Sequence, residues 1–185
     1  MLTCLLELTL PVALVALLYA RWEYRSRGRL SLLGLFLLCA MLFVPNLVLH
    51  YAADYQAPSR PLEYIGLFIA ALGLGICLLG MVHFRSMTKV LCLDAGRLTR
   101  SGPYRWSRNP QYLGWVLFLL GFALYDRSSW SLAVVLLVAI SLHFLVLVEE
   151  EHLHRVFGKA YGEFCRRVPR YLGSRSLNKA TFSVL

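Results

Sequence analysis

Long apolar runs broken by short charged stretches set the pattern of this chain. They fall at about 2–20, 30–51, 62–84, 111–125 and 130–148. Each approaches the roughly 20 helical residues that cross a hydrocarbon core, so the pattern predicts five membrane-spanning helices. The first run has neither the basic leader nor the small-residue cleavage site of a secretory signal, and it reads as a retained span. Pro45-Asn46 predicts a kink in the second span. The third carries the pairs Gly66/Ala70 and Ala71/Gly75, a spacing that lets membrane helices approach closely. The fifth runs into Glu149-Glu150-Glu151 and should stay helical to Gly158, placed as a C′ glycine. Only Asp126-Arg127-Ser128-Ser129 separates the last two spans, which predicts a tight helical hairpin.

Composition removes the soluble alternative. The 185 residues are 58% hydrophobic and 16% charged. Ordinary globular domains are roughly 45–50% apolar and about 25% charged. The net charge of +9 would point to nucleic acid in a soluble protein, but the placement of the charges points to a membrane. Of the 19 Lys and Arg, all but Arg60 and Arg127 lie in three segments, 21–29, 85–108 and 155–179. With five spans these segments share one side. The bias of basic residues toward cytoplasmic loops then puts the N-terminus outside and the C-terminus in the cytoplasm. No nucleic-acid partner is expected. Cys4, Cys39, Cys77, Cys92 and Cys165 show no metal-ligand spacing, so neither zinc nor a disulfide is expected. The predicted fold is all-α: a polytopic membrane bundle. It divides into a three-span region (1–84), a region with a basic loop, the helical hairpin and a C-terminal helix (85–172), and a tail (173–185).

Two polar clusters carry the candidate chemistry, GRLTRSGPYRWSRNPQY (96–112) and EEEHLHRVFGKAYGEFCRRVPR (149–170). Asn109-Pro110 reads as an N-cap followed by proline at the first helical position. A helix start there would suit a carboxylate or phosphate, or would be an ordinary start with Arg105 and Arg108 as interfacial anchors. Tyr104, Trp106, Tyr112 and Trp115 fit either an interfacial aromatic belt or a surface for an adenine and a sulfonium. Gly102-Pro103 is a turn that returns Tyr104 toward the helix start. In the Glu run, Glu150/His154 and Glu151/Arg155 are spaced to pair on a solvated face, which leaves Glu149 facing elsewhere. An ionisable residue turned into a membrane bundle is a functional candidate. His143, inside the fifth span, is a candidate polar contact.

The segment GRLTRSGPYRWSRNPQYLGW resembles the Gly-x-Tyr … Arg-His-Pro-x-Tyr-x-Gly stretch of the integral-membrane methyltransferases, among them isoprenylcysteine carboxyl methyltransferases and phospholipid N-methyltransferases. EEEHLHRVFGKAYGEFCRRVPR is similar to their Glu-Glu … Arg-Val-Pro ending. The likeness covers roughly residues 85–172, in order and spacing. It implies S-adenosylmethionine as cofactor at the cytoplasmic face, and a lipophilic substrate of prenylcysteine-carboxylate or phospholipid-amine type entering laterally from the bilayer. No metal is implied. Cofactor contacts carried over by position fall on Leu98, Thr99, Tyr104, Asn109, Pro110, Tyr112, Glu149 and Glu150, and the reaction on Asn109, Tyr112 and Arg105.

Three positions depart from that pattern. Asn109 stands where the family has His, and it keeps a donor and an acceptor but does not titrate near neutrality. Gly96 stands where the cofactor loop often has His. Leu145 stands where the prenylcysteine enzymes carry an Arg. The membrane sterol reductases, which use NADPH, share an Arg-His-Pro-x-Tyr-like segment and a Tyr-Cys … Val-Pro ending similar to Phe164-Cys165-Arg166-Arg167-Val168-Pro169. They are the alternative, with a non-catalytic membrane scaffold as a third class.

Overall fold

The computed structural model describes residues 2–52, 60–83, 102–127 and 129–172. Among them are six α-helices, one 3-10 turn and no strand, in the order α1 (Leu2–Ser26), α2 (Leu32–Ala52), α3 (Arg60–His83), the 3-10 turn (Gly102–Arg105), α4 (Pro110–Asp126), α5 (Ser129–Phe157) and α6 (Lys159–Arg167). Each of the five apolar runs is helical over its described residues, except that the second begins its helix only at Leu32. The helices outrun them where polar residues add no helix breaker, as in α1, which continues through Arg-Trp-Glu-Tyr-Arg to Ser26. α2 runs through Pro45, and the Asn46 side-chain amide donates to the Leu42 carbonyl one turn back. Two described helical stretches, Pro61–Val82 and Ser129–Phe157, are long and apolar enough to cross a membrane, and Leu32–Leu47 is a shorter apolar stretch.

Two packing modes build the bundle. α3 and α4 touch backbone to backbone. A Cβ on Gly66 would lie 2.6 Å from the Gly121 carbonyl, and one on Gly114 2.6 Å from the Gly73 carbonyl. Side chains larger than hydrogen are excluded at Gly66, Gly73, Gly114 and Gly121, which is how small residues drive helix association in a membrane. The expected pair Gly66/Ala70 lies in this contact. The pair Ala71/Gly75 does not: Ala71 is exposed, and a Cβ on Gly75 would meet nothing. α1, α2 and α5 pack instead through a mixed core. α1 offers Ala13, Ala16, Ala20 and Tyr24 at helical spacing, against Leu38 and Met41 of α2 and Val138, Leu142 and Leu145 of α5.

α5 ends as its sequence predicts. Gly158 follows Phe157 at φ 51°, and its N–H donates to the His154 carbonyl. The turn lets α6 fold back, with Tyr161 and Phe164 buried against Leu153 and Phe157. At the same end of the bundle Glu23 of α1 is 0% exposed. It accepts from Arg27 at 3.0 Å and from the Ser31 N–H at 2.8 Å, so a buried carboxylate ties the end of α1 to the start of α2.

Candidate functional site

The two polar clusters meet where α4 begins and α5 leaves its apolar run. Gly102 adopts φ 59°, and the N–H groups of Trp106 and Ser107 both donate to the Pro103 carbonyl, at 3.1 and 3.2 Å. This closed turn buries Tyr104 and leaves Arg105 exposed. Asn109 sits at the N-cap position of α4 and Pro110 at its first turn, as expected, but the Asn109 side chain caps nothing. Its amide donates instead to the Arg170 carbonyl at 3.2 Å, and Ser107 Oγ donates to the same carbonyl at 3.3 Å. The Arg108 N–H donates to the Pro169 carbonyl at 3.0 Å. The segment after α6 therefore straps the start of α4.

Helical rotation sends the three glutamates in three directions. Glu149 is half-buried and accepts from the Tyr112 hydroxyl at 2.6 Å, a bond that crosses from α4 to α5. Glu150 does not pair with His154. Its side chain is 10% exposed, and it lies 3.1 Å from Arg108 Nη1 and 2.7 Å from Arg170 Nη2. His154 packs edge-on against Tyr161 instead. Glu151 is the solvated member. It pairs with Arg155 at 3.0 Å, as the spacing predicts, and also with Arg21 at 3.2 Å and Arg25 at 2.6 Å from α1.

Arg108 is no interfacial anchor. Its side chain is 5% exposed, and it also reaches the Cys165 sulfur. Two guanidiniums thus face one carboxylate at the start of α4. The Glu150 hydrogen bonds push the Arg170 pKa up, so that charge is permanent. Burial, with the Glu150 charge beside it, pushes the Tyr161 phenol far above its ordinary range. Tyr171, raised by burial, hydrogen-bonds His143 Nδ1 at 2.9 Å, the polar contact expected of that histidine.

Of the carried-over residues, the structure joins Tyr112 to Glu149 and places Asn109 and Pro110 at the start of the helix that carries Tyr112. Glu150 sits one residue further on, committed to the two arginines. Leu98 and Thr99 lie outside the described residues. Sequence reasoning missed Gln111: its Oε1 and the Nε1 of Trp115 are buried with no hydrogen-bond partner among the described residues. These two are one turn apart on α4, beside Tyr112. A glutamine and a tryptophan at i, i+4 in a polar helix start were the available signal. Among the described residues no group of three or more His, Cys, Asp or Glu could hold a metal.

The model of the phospholipid methyltransferase family matches residues 62–160, more than half of the chain, and the chain belongs to that family. The match takes in α3, α4 and α5, and with them the Tyr112–Glu149 bond. It makes the protein a member of a membrane methyltransferase family. No curated protein and no solved structure matches the chain.

Proposed function

We propose that the protein transfers a methyl group from S-adenosylmethionine to a lipid-like acceptor at the cytoplasmic face of a membrane. The observation that carries this reading is the Tyr112–Glu149 hydrogen bond, which joins the two polar clusters inside the family match. The residues present fit the cofactor. Glu149 offers a carboxylate charge for an ammonium group, and the Tyr112 hydroxyl helps fix its orientation. Gln111 Oε1 and Trp115 Nε1 are a buried acceptor and donor without partners among the described residues, as a nucleoside would require. Arg108 and Arg170 exceed Glu150 by one positive charge beside the start of α4, which suits the cofactor's carboxylate. Leu98, Thr99 and Tyr104 belong to the same proposed pocket, and Arg105 and Asn109 are proposed at its mouth.

Bound there, the sulfonium would supply the methyl group for an in-line displacement. The protein's part is alignment and exclusion of water. Tyr112 and Glu149 fix one end of the pocket, and the Pro169–Arg170 strap covers the start of α4. Asn109 holds that strap and takes no proton. The proposed acceptor is an amine headgroup in preference to a prenylcysteine carboxylate. Leu145 is 2% exposed within the apolar core, so position 145 offers a carboxylate no counter-charge.

The proposed topology is five spans with the last two as a hairpin, N-terminus outside and C-terminus cytoplasmic. Residues 1–84 form the N-terminal membrane region, 85–172 the catalytic region and 173–185 a tail. The test of function uses the purified chain. S-adenosylmethionine and its demethylated product should raise the melting temperature, and labelled methyl should pass from S-adenosylmethionine into phosphatidylethanolamine. Stabilisation by NADPH alone, with no methyl transfer, would reject the proposal.

A further inference from the structure

Three guanidiniums converge on the single carboxylate of Glu151, from Arg21 and Arg25 on α1 and Arg155 on α5. The arginine side chains are 48%, 53% and 41% exposed. Three positive charges against one leave a surplus of two, held within a few ångströms on an open surface. Arg21 donates to Glu151 through Nε, and Arg25 through Nε and one Nη, so each keeps donors to spare.

What lies along the helices from this cluster is apolar. Leu14, Leu18, Arg21 and Arg25 recur at i, i+4, i+7 and i+11, one side of α1. Phe144, Leu147, Glu151 and Arg155 recur at i, i+3, i+7 and i+11, one side of α5. The Arg–Glu151 pairs show that these two sides adjoin. Leu14 and Leu18 are both 58% exposed and Phe144 is 52% exposed. The face therefore has a cationic head and an apolar stem, and Leu14 to Arg25 spans about 16 Å at the rise of a helix. Trp22, exposed and under the Arg27 guanidinium, lies at the level where the stem gives way to charge, the depth at which tryptophan marks a membrane interface.

We propose that this face binds an anionic phospholipid of the leaflet at the basic end of the bundle, with its phosphate on Arg21, Arg25 and Arg155 and its acyl chains along Leu14, Leu18 and Phe144. The charge surplus selects an anionic headgroup, because a zwitterionic lipid brings no net charge to match it. This lipid is not the methyl acceptor. Glu149 and Glu151 point about 200° apart around α5, so the face lies away from Tyr112 and Glu149. The inference needs only that the bundle sits in a bilayer, and it stands or falls apart from the methyl transfer.

The test is lipid binding to the full-length protein in detergent, read by native mass spectrometry and by thermal shift, with phosphatidylglycerol, phosphatidylcholine and inorganic phosphate as separate probes. Phosphatidylglycerol should be retained in preference to phosphatidylcholine. The double variant Arg21→Gln/Arg25→Gln should lose roughly 30-fold in phosphatidylglycerol affinity, about fivefold for each arginine at an anionic surface. Glu151→Gln separates a lipid site from a structural ion-pair cluster. It removes the competing carboxylate, so phosphatidylglycerol should bind more tightly than to the wild type. Inorganic phosphate should neither stabilise the protein nor displace the lipid. Equal retention of the two lipids, phosphatidylglycerol binding unchanged in the double variant, weaker binding to Glu151→Gln, or displacement by inorganic phosphate would each overturn the proposal.

Discussion

Replacing Glu150 by Gln removes the charge between Arg108 and Arg170 while keeping the shape of the side chain. The Arg108 side chain is 5% exposed, so its guanidinium would be left in the interior without a counter-charge. Breaking a buried ion pair by removing one partner costs about 3–5 kcal/mol. Arg170→Gln is milder, because Glu150 keeps Arg108 and the Arg170 side chain is 35% exposed. There the loss is that of charge-assisted hydrogen bonds, about 1.5–3 kcal/mol. Glu151→Gln is the surface control, at under about 1 kcal/mol. Unfolding in mixed micelles, followed by circular dichroism, should rank the three in that order. The double variant Glu150→Gln/Arg170→Gln should cost less than the sum of the singles, since the residues share one interaction. Hydrogen exchange at the Arg108 amide, which donates to Pro169, should speed up in Glu150→Gln. If Glu150→Gln costs no more than Glu151→Gln, the pair does not hold the strap against α4 and the reasoning fails.

Gly114→Ala places a methyl 2.6 Å from the Gly73 carbonyl and should destabilise the protein by about 1–3 kcal/mol, whereas Gly75→Ala, on an open face, should be neutral or stabilising in the same unfolding assay. Tyr161 is held neutral by burial and by the Glu150 charge, while in the unfolded chain it loses its proton near pH 10. The folded state then binds the extra proton, so its contribution to stability is lost as pH rises above about 10. Melting temperatures between neutral and alkaline pH should fall less steeply in Tyr161→Phe than in the wild type.

Features written in short-range pattern were legible in the sequence. The helical runs, the stop at Gly158 and the proline at the first turn of α4 each depend on residues within a turn or two. So does the Glu151/Arg155 pair. The direction of Glu149 followed from rotation about one helix, and its partner Tyr112 was among the family's positions. Partners distant in sequence were not legible. Arg108 looked like an interfacial arginine because the carboxylate that buries it is Glu150, 42 residues later. Asn109 looked like a cap, but the Arg170 carbonyl takes its amide, and no local rule foresees that competitor. Glu23 lay inside a basic segment and gave no sign that its side chain turns inward to hold Ser31. Gly66/Ala70 and Ala71/Gly75 carry the same motif, and only the position of α4 decides which of the two is used.

Calorimetric titration of S-adenosylmethionine into the full-length protein and its Glu149→Gln variant, with Glu151→Gln beside them, tests the central claim most directly. Glu149→Gln should weaken binding by about 1.5–3 kcal/mol, the worth of a hydrogen bond to a charged group. That is roughly 10-fold or more in affinity. Tyr112→Phe should weaken it less, because the carboxylate loses its orientation but keeps its charge. Glu151→Gln should bind like the wild type. Wild-type affinity in Glu149→Gln would contradict the account, and the cofactor would then have to bind elsewhere than between Tyr112 and Glu149.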